Sequence, residues 1–164
     1  MRKRIFGLFL MIGWAFSGCA TEPGTVYDSY KELKDMRWVA NDSPKFDFDI
    51  EDVNRPYDIF LNVRNDMDYP FRNLYVSYAL TDAKGDTLSS ELKNIMLFEP
   101  KTGYPYGTGM GSVKDLREAL VKSVKFSAPG PYSISLRQMM RKDTLDGISA
   151  VGIRVSVVKP QAEK

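Results

Sequence analysis

The 164-residue chain contains no histidine and one cysteine. Without histidine there is no imidazole general base, no imidazole zinc ligand and no His-containing catalytic triad. Carboxylate chemistry survives that absence, so an enzyme is disfavoured without being excluded. A lone cysteine excludes an intrachain disulfide. No apolar run reaches the roughly 20 residues that a membrane-spanning helix needs. An excess of positive charge is also missing: 23 Lys and Arg face 21 Asp and Glu. The clustered positive field of a nucleic-acid binder is absent with it. Stability must therefore come from an ordinary hydrophobic core, which a chain of one-domain length can bury.

The N-terminal segment is the most informative part of what is present. Met1-Arg2-Lys3-Arg4 is followed by an apolar stretch from Ile5 to Phe16 and then by Ser17-Gly18-Cys19. This is the order of a secretory signal peptide, closed by a lipobox-like site. Lipoprotein processing places a diacylglyceryl group on the Cys19 thiol, cuts before Cys19 and acylates the new N-terminus. Two or three acyl chains anchor a protein stably, each buried CH₂ contributing about 0.8 kcal/mol. The bilayer is thus a partner through acylated Cys19. Cleavage removes three basic residues and no acidic one, turning the formal charge of +2 into −1. Residues 1–18 read as the signal peptide, 19–25 as a lipidated tether and 26–164 as a single domain.

Strand patterns dominate that domain. Phe46, Phe48 and Ile50 alternate with Asp47, Asp49 and Glu51, and Tyr57, Ile59, Leu61 and Val63 form a second alternating set. Leu74–Leu80, a strand through Leu88, Asn94–Phe98, Tyr132–Leu136 and Ile148–Val158 continue the series. Turn chemistry lies between them at 65–70, 82–85 and 129–131. Val26–Met36 is polar with scattered Tyr27, Tyr30 and Leu33. Ser112, three residues before Asp115, reads as a capping box opening a short helix. Val113, Leu116, Leu120 and Val124 lie at helical spacing, with Lys122 to Phe126 open to a strand reading. The expected fold is all-β: an antiparallel β-sandwich, jelly-roll-like in topology, with one or two short helices.

Three groups of residues invite a functional reading. Asp66 and Asp68, with Asn62 and Asn65, offer oxygen ligands but lack the Gly turn and bidentate Glu of a calcium loop, so they read as turn formers. Asp47, Asp49 and Glu51 lie along one strand face, whereas a glycosidase needs two carboxyls facing each other about 5–10 Å apart. The loop from Gly103 to Gly111 carries Tyr104, Tyr106 and Met110, which suit stacking on a sugar or anchoring a partner protein. The preferred expectation for that loop is that both tyrosines fold back over the core. Met139, Met140 and Arg141 form either a partner patch or an ordinary strand end. No metal or cofactor site is expected.

An ordered set of local patterns carries a family resemblance. They are 57–65 (Tyr-Asp-Ile-Phe-Leu-Asn-Val-Arg-Asn), 68–74 (Asp-Tyr-Pro-Phe-Arg-Asn-Leu), Asp86-Thr87-Leu88 and the Gly103–Gly111 loop. Gln138-Met139-Met140-Arg141, Leu145-Asp146-Gly147-Ile148 and Val151-Gly152-Ile153-Arg154 complete it. With Cys19, the chain resembles the gliding-motility lipoprotein family GldH of Bacteroidetes. The resemblance implies a non-catalytic lipoprotein of the gliding apparatus, linked to type IX secretion, with envelope proteins as partners. Ala20 after the cysteine favours the outer membrane, and the lack of an acidic run there favours its periplasmic face. The alternative is an envelope lipoprotein that binds glycans through the aromatic loop.

Overall fold

A computed structural model of the chain describes residues 22–159. The expected signal peptide and Cys19 lie outside the described residues. Ten strands are present: β1 (Thr25–Glu32), β2 (Arg37–Val39), β3 (Lys45–Ile50), β4 (Tyr57–Asp66) and β5 (Asn73–Thr81), then β6 (Thr87–Met96), β7 (Val113–Val124), β8 (Gly130–Gln138), β9 (Thr144–Asp146) and β10 (Ile148–Val157). Two antiparallel sheets, ordered β1-β10-β4-β7 and β3-β8-β5-β6, form the sandwich, and β2 with β9 makes a small ribbon. Numbered in chain order without that ribbon, the eight long strands read 1-8-3-6 and 2-7-4-5. That is the jelly-roll arrangement, as expected.

Alternation explains most of these strands. Phe46, Phe48 and Ile50 of β3 are buried while Lys45, Asp47 and Asp49 are exposed. Ile59, Leu61 and Val63 of β4 meet Val151, Ile153 and Val155 of β10 in the core. Each fully buried side chain of this kind contributes about 1.5–3 kcal/mol. At the Thr25 end an aromatic cluster joins the sheets, with ring centroids 5.8 Å apart for Tyr27–Phe48, 5.7 Å for Tyr57–Phe126 and 4.4 Å for Phe126–Tyr132. At the other end Trp38 of β2 pairs with Leu145 of β9, and both are fully buried.

The expected helix over 113–124 is a strand. A spacing of four, as in Leu116, Leu120 and Val124, satisfies both the helical and the strand period. Two register shifts opposite Ile59 also break the alternation that would have marked β7 as a strand. Among the described residues the only helical element is one 3₁₀ turn, Lys34–Met36. The reading of 87–98 as two short strands also changes, because β6 is continuous. Its middle is polar because β6 is an edge: Glu91 and Lys93 share the core-facing side with Tyr78 and Val76 of β5 yet stay out of the buried core. Glu118 of β7 does the same opposite Leu61. Charges pointing inward on edge strands oppose pairing with a second chain.

Candidate interaction surface

The Gly103–Gly111 loop lies at the end of the sandwich opposite Thr25. Its base is a bridge between Phe98 and Pro105. Glu99 organises the turn above it, because its carboxylate accepts from the Lys101 amide at 2.9 Å and the Thr102 hydroxyl at 2.7 Å. The hydroxyl and the two backbone amides together hold the Glu99 carboxyl below its ordinary value. Beyond it the loop crosses β7, where Thr108 and Asp115 exchange backbone hydrogen bonds at 2.9 and 2.7 Å. Lys114 clamps this crossing by donating to the carbonyls of Gly109 at 3.0 Å and Gly111 at 2.9 Å. A Cβ on Gly107 would meet the Asp115 carbonyl oxygen at 2.9 Å, so only glycine permits the approach.

This scaffold turns the aromatic side chains outward. Tyr104 is 73% exposed, Tyr106 50% and Met110 98%. The expectation that the tyrosines fold back over the core is overturned. The loop's own hydrogen bonds and its crossing of β7 satisfy the backbone, so the tyrosines are not needed as cover.

A cleft of about 530 Å³ opens at the same end, on the outer face of the other sheet. Phe71, Tyr75, Leu92, Met139 and Met140 line it, and Arg141 and Lys142 also contribute. Met139, Met140 and Arg141 therefore form a real surface feature and do more than end a strand. The Met139 amide continues the β8–β5 ladder to the Tyr75 carbonyl at 2.8 Å. Apolar and aromatic walls with Met and Arg match the composition of protein-binding patches.

The carboxylate groups form no facing pair. Asp47 and Asp49 lie along the outer face of β3, as their alternation predicts. The Ser133 hydroxyl donates to Asp47 at 2.7 Å and is the main cause that holds its carboxyl below the ordinary value. A general acid requires the opposite shift. Asp66 accepts from the Asp68 amide and the Ser112 hydroxyl, both at 2.9 Å, which is turn-forming work. Asn62 and Asn65 are buried within β4.

A polar network on the outer face of the β1-β10-β4-β7 sheet escaped the sequence reading. Arg154, 6% exposed, donates to Glu22 at 2.6 Å, to Asp28 at 3.4 Å and to Thr25. Asn62 bridges Asp28 at 3.1 Å and Arg117 at 3.0 Å. One row along, Asp115 accepts from Tyr30 at 3.1 Å and from Arg64 at 3.0 Å. The signal was an arginine inside the apolar run Ile153-Arg154-Val155, since a charge on a central strand needs a partner.

Comparison with known proteins agrees with the family resemblance. The chain is 31% identical over 160 residues to the gliding motility lipoprotein GldH homolog of Christiangramia forsetii, covering 93% of this chain and 96% of that protein. It is 27% identical to the gliding motility lipoprotein GldH of Flavobacterium johnsoniae, covering 94% and 98%. Among solved structures, a chain of the infectious bursal disease virus Gx strain gives a TM-score of 0.35 at 10% identity, covering 94% of this chain and 37% of that one. The sequence profile described as GldH lipoprotein matches residues 25–155, from the first residue of β1 almost to the end of β10. With that match spanning both sheets, the chain belongs to the GldH lipoprotein family.

Proposed function

We propose that the chain is a non-catalytic, lipid-anchored component of the gliding-motility machinery, linked to type IX secretion and acting through protein contacts. Cys19 carries the acyl groups, and the protein works at the outer membrane on its periplasmic face. Family membership supports the gliding role. The observation that carries the contact mode is the end opposite Thr25, where a hydrogen-bonded loop displays Tyr104, Tyr106 and Met110 at the same end as the cleft. Large apolar side chains held outward by a tight scaffold enter a partner's pocket with little ordering cost.

A photo-crosslinking residue placed at Tyr104 or at Met139 in cells tests this. Capture of gliding or secretion components from those positions, and not from Ser156 at the other end, is the expected result. Capture of no envelope protein by a folded, membrane-bound variant would refute it. The exposed Tyr104 and Tyr106 rings also support a second reading, glycan binding. In that case Tyr104→Ala with Tyr106→Ala abolishes a polysaccharide signal on an array while the fold is retained. An array without hits removes that reading.

A further inference from the structure

We infer that the outer face of the β1-β10-β4-β7 sheet, at its Thr25 end, lies against a phospholipid surface. The cleft is then held at the corner of the sandwich farthest from the bilayer. The inference rests on the acylation of Cys19 proposed above.

Glu22 follows Cys19 by three residues, a length of chain that reaches at most about 11 Å. Glu22 is not a free tether residue. Pro23 and Gly24 form a turn, closed by the Thr25 amide donating to the Glu22 carbonyl at 3.1 Å, with Gly24 at φ +92°. The turn brings Glu22 back over the sheet, where Arg154 holds its carboxylate at 2.6 Å and Arg117 approaches to 3.7 Å. The Val157 amide donates to the Gly24 carbonyl at 2.8 Å and fastens the turn to β10. Arg154 is buried, so this pair is screened less than an open surface pair. A leash would let the domain tumble, but three residues beyond a clamp cannot.

Strand polarity then sets what faces away. Thr25, Val157, Tyr57 and Val124 share one end of their sheet, and Ile50 and Gly130 share the matching end of the other. The cleft, lined by Tyr75 and Met139, sits at the opposite end and on the opposite outer face. Strands of about ten residues put roughly 33 Å between the ends, and packed sheets add about 10 Å. The lipid-proximal corner presents Asp58, Phe60, Arg117 and Lys159, a mixed-charge surface suited to headgroups.

The test uses full-length protein, processed and acylated in cells, in vesicles of phosphatidylethanolamine and phosphatidylglycerol. Acylation consumes the only native thiol, so Ser156→Cys or Met139→Cys supplies a unique site for a fluorophore. A headgroup spin-labelled lipid should quench the Ser156 probe severalfold more than the Met139 probe. A long Gly-Ser insertion after Ala20 should erase the difference, and Glu22→Ala, which keeps the backbone bonds of the turn, should reduce it. Equal quenching of both probes on vesicle-bound protein with the native tether would overturn the inference, as would stronger quenching at Met139. Protein that fails to float with vesicles and retains a free Cys19 thiol refutes the acylation instead, so the two failures are told apart.

Discussion

The Arg64 guanidinium lies 4.1 Å from the centroid of the Tyr30 ring. The same ring lies against Gly152, where a Cβ would come within 3.0 Å of ring carbons and 2.5 Å of the Ser29 carbonyl oxygen. Bare backbone on a central strand is covered by an aromatic ring, and a cation covers the ring in turn. Gly152→Ala should therefore push β1 off β10. The backbone oxygen cannot rotate away as a side chain could, so the loss should be at the upper end of overpacking costs, about 3 kcal/mol. Urea unfolding of the soluble domain measures it, and an unchanged midpoint would contradict the packing.

Tyr30 should also titrate late. Burial, followed by the charge and hydrogen bond of Asp115, pushes its phenol up to about 12. The folded state then holds a proton that the unfolded chain loses near 10, so this contribution is complete below pH 10 and is lost as pH rises toward 12. Absorbance at alkaline pH should show a late-titrating tyrosine. Asp115→Asn should move that tyrosine to lower pH, although burial keeps part of the shift. Retention of the full shift would mean that burial alone sets it.

The two residues of the clamp should behave unequally. Arg154→Leu removes the partner shared by Glu22 and Asp28, and leaves Asp28 with the Asn62 amide and an Arg117 guanidinium 3.9 Å away. The carboxylates left behind reach solvent, so the cost should be that of lost charged hydrogen bonds, about 1.5–3 kcal/mol. Glu22→Ala removes a partner whose side chain is largely exposed, and Arg154 keeps Asp28. Its cost should lie within the range of about 0–1 kcal/mol usual for exposed pairs. Thermal unfolding of both variants checks the asymmetry. Equal losses would show that Glu22 is part of the core network rather than a clamp laid over it.

The sequence was readable where alternation met burial. Ile59, Leu61 and Val63 had to face a core, as did Phe46, Phe48 and Ile50, and they do. It was misleading where a strand lies at an edge. β1 is polar on both sides, since Asp28, Tyr30 and Glu32 join the outer network while Ser29 and Lys31 sit at the sheet margin. β7 carries bulges that shift the pattern out of period. The cleft was half legible. Met139, Met140 and Arg141 adjoin in the chain, but Phe71, Tyr75 and Leu92 arrive from elements that only the strand order brings together. The outward tyrosines depend on contacts between Gly107 and β7, which local composition does not encode.

That dependence gives the last prediction. Glu99 has a carboxyl depressed by the Thr102 hydroxyl and by the amides of Thr102 and Lys101. A depressed carboxyl stabilises the fold above its unfolded value and loses that contribution as pH falls through the folded value. The loop should therefore loosen in acid before the sandwich does, visible as faster exchange of the Thr102 amide while β4 and β10 amides stay protected. Glu99→Gln should produce the same loosening at neutral pH, because an amide oxygen is a weaker acceptor than a carboxylate. Gly107→Ala should detach the loop from β7 at any pH, since the clash there is steric. If the loop displays the partner-binding tyrosines, both variants should weaken crosslinking from Tyr104 while leaving the domain's unfolding midpoint nearly unchanged. Undiminished capture from a loosened loop would show that rigidity is not what makes this end a contact surface.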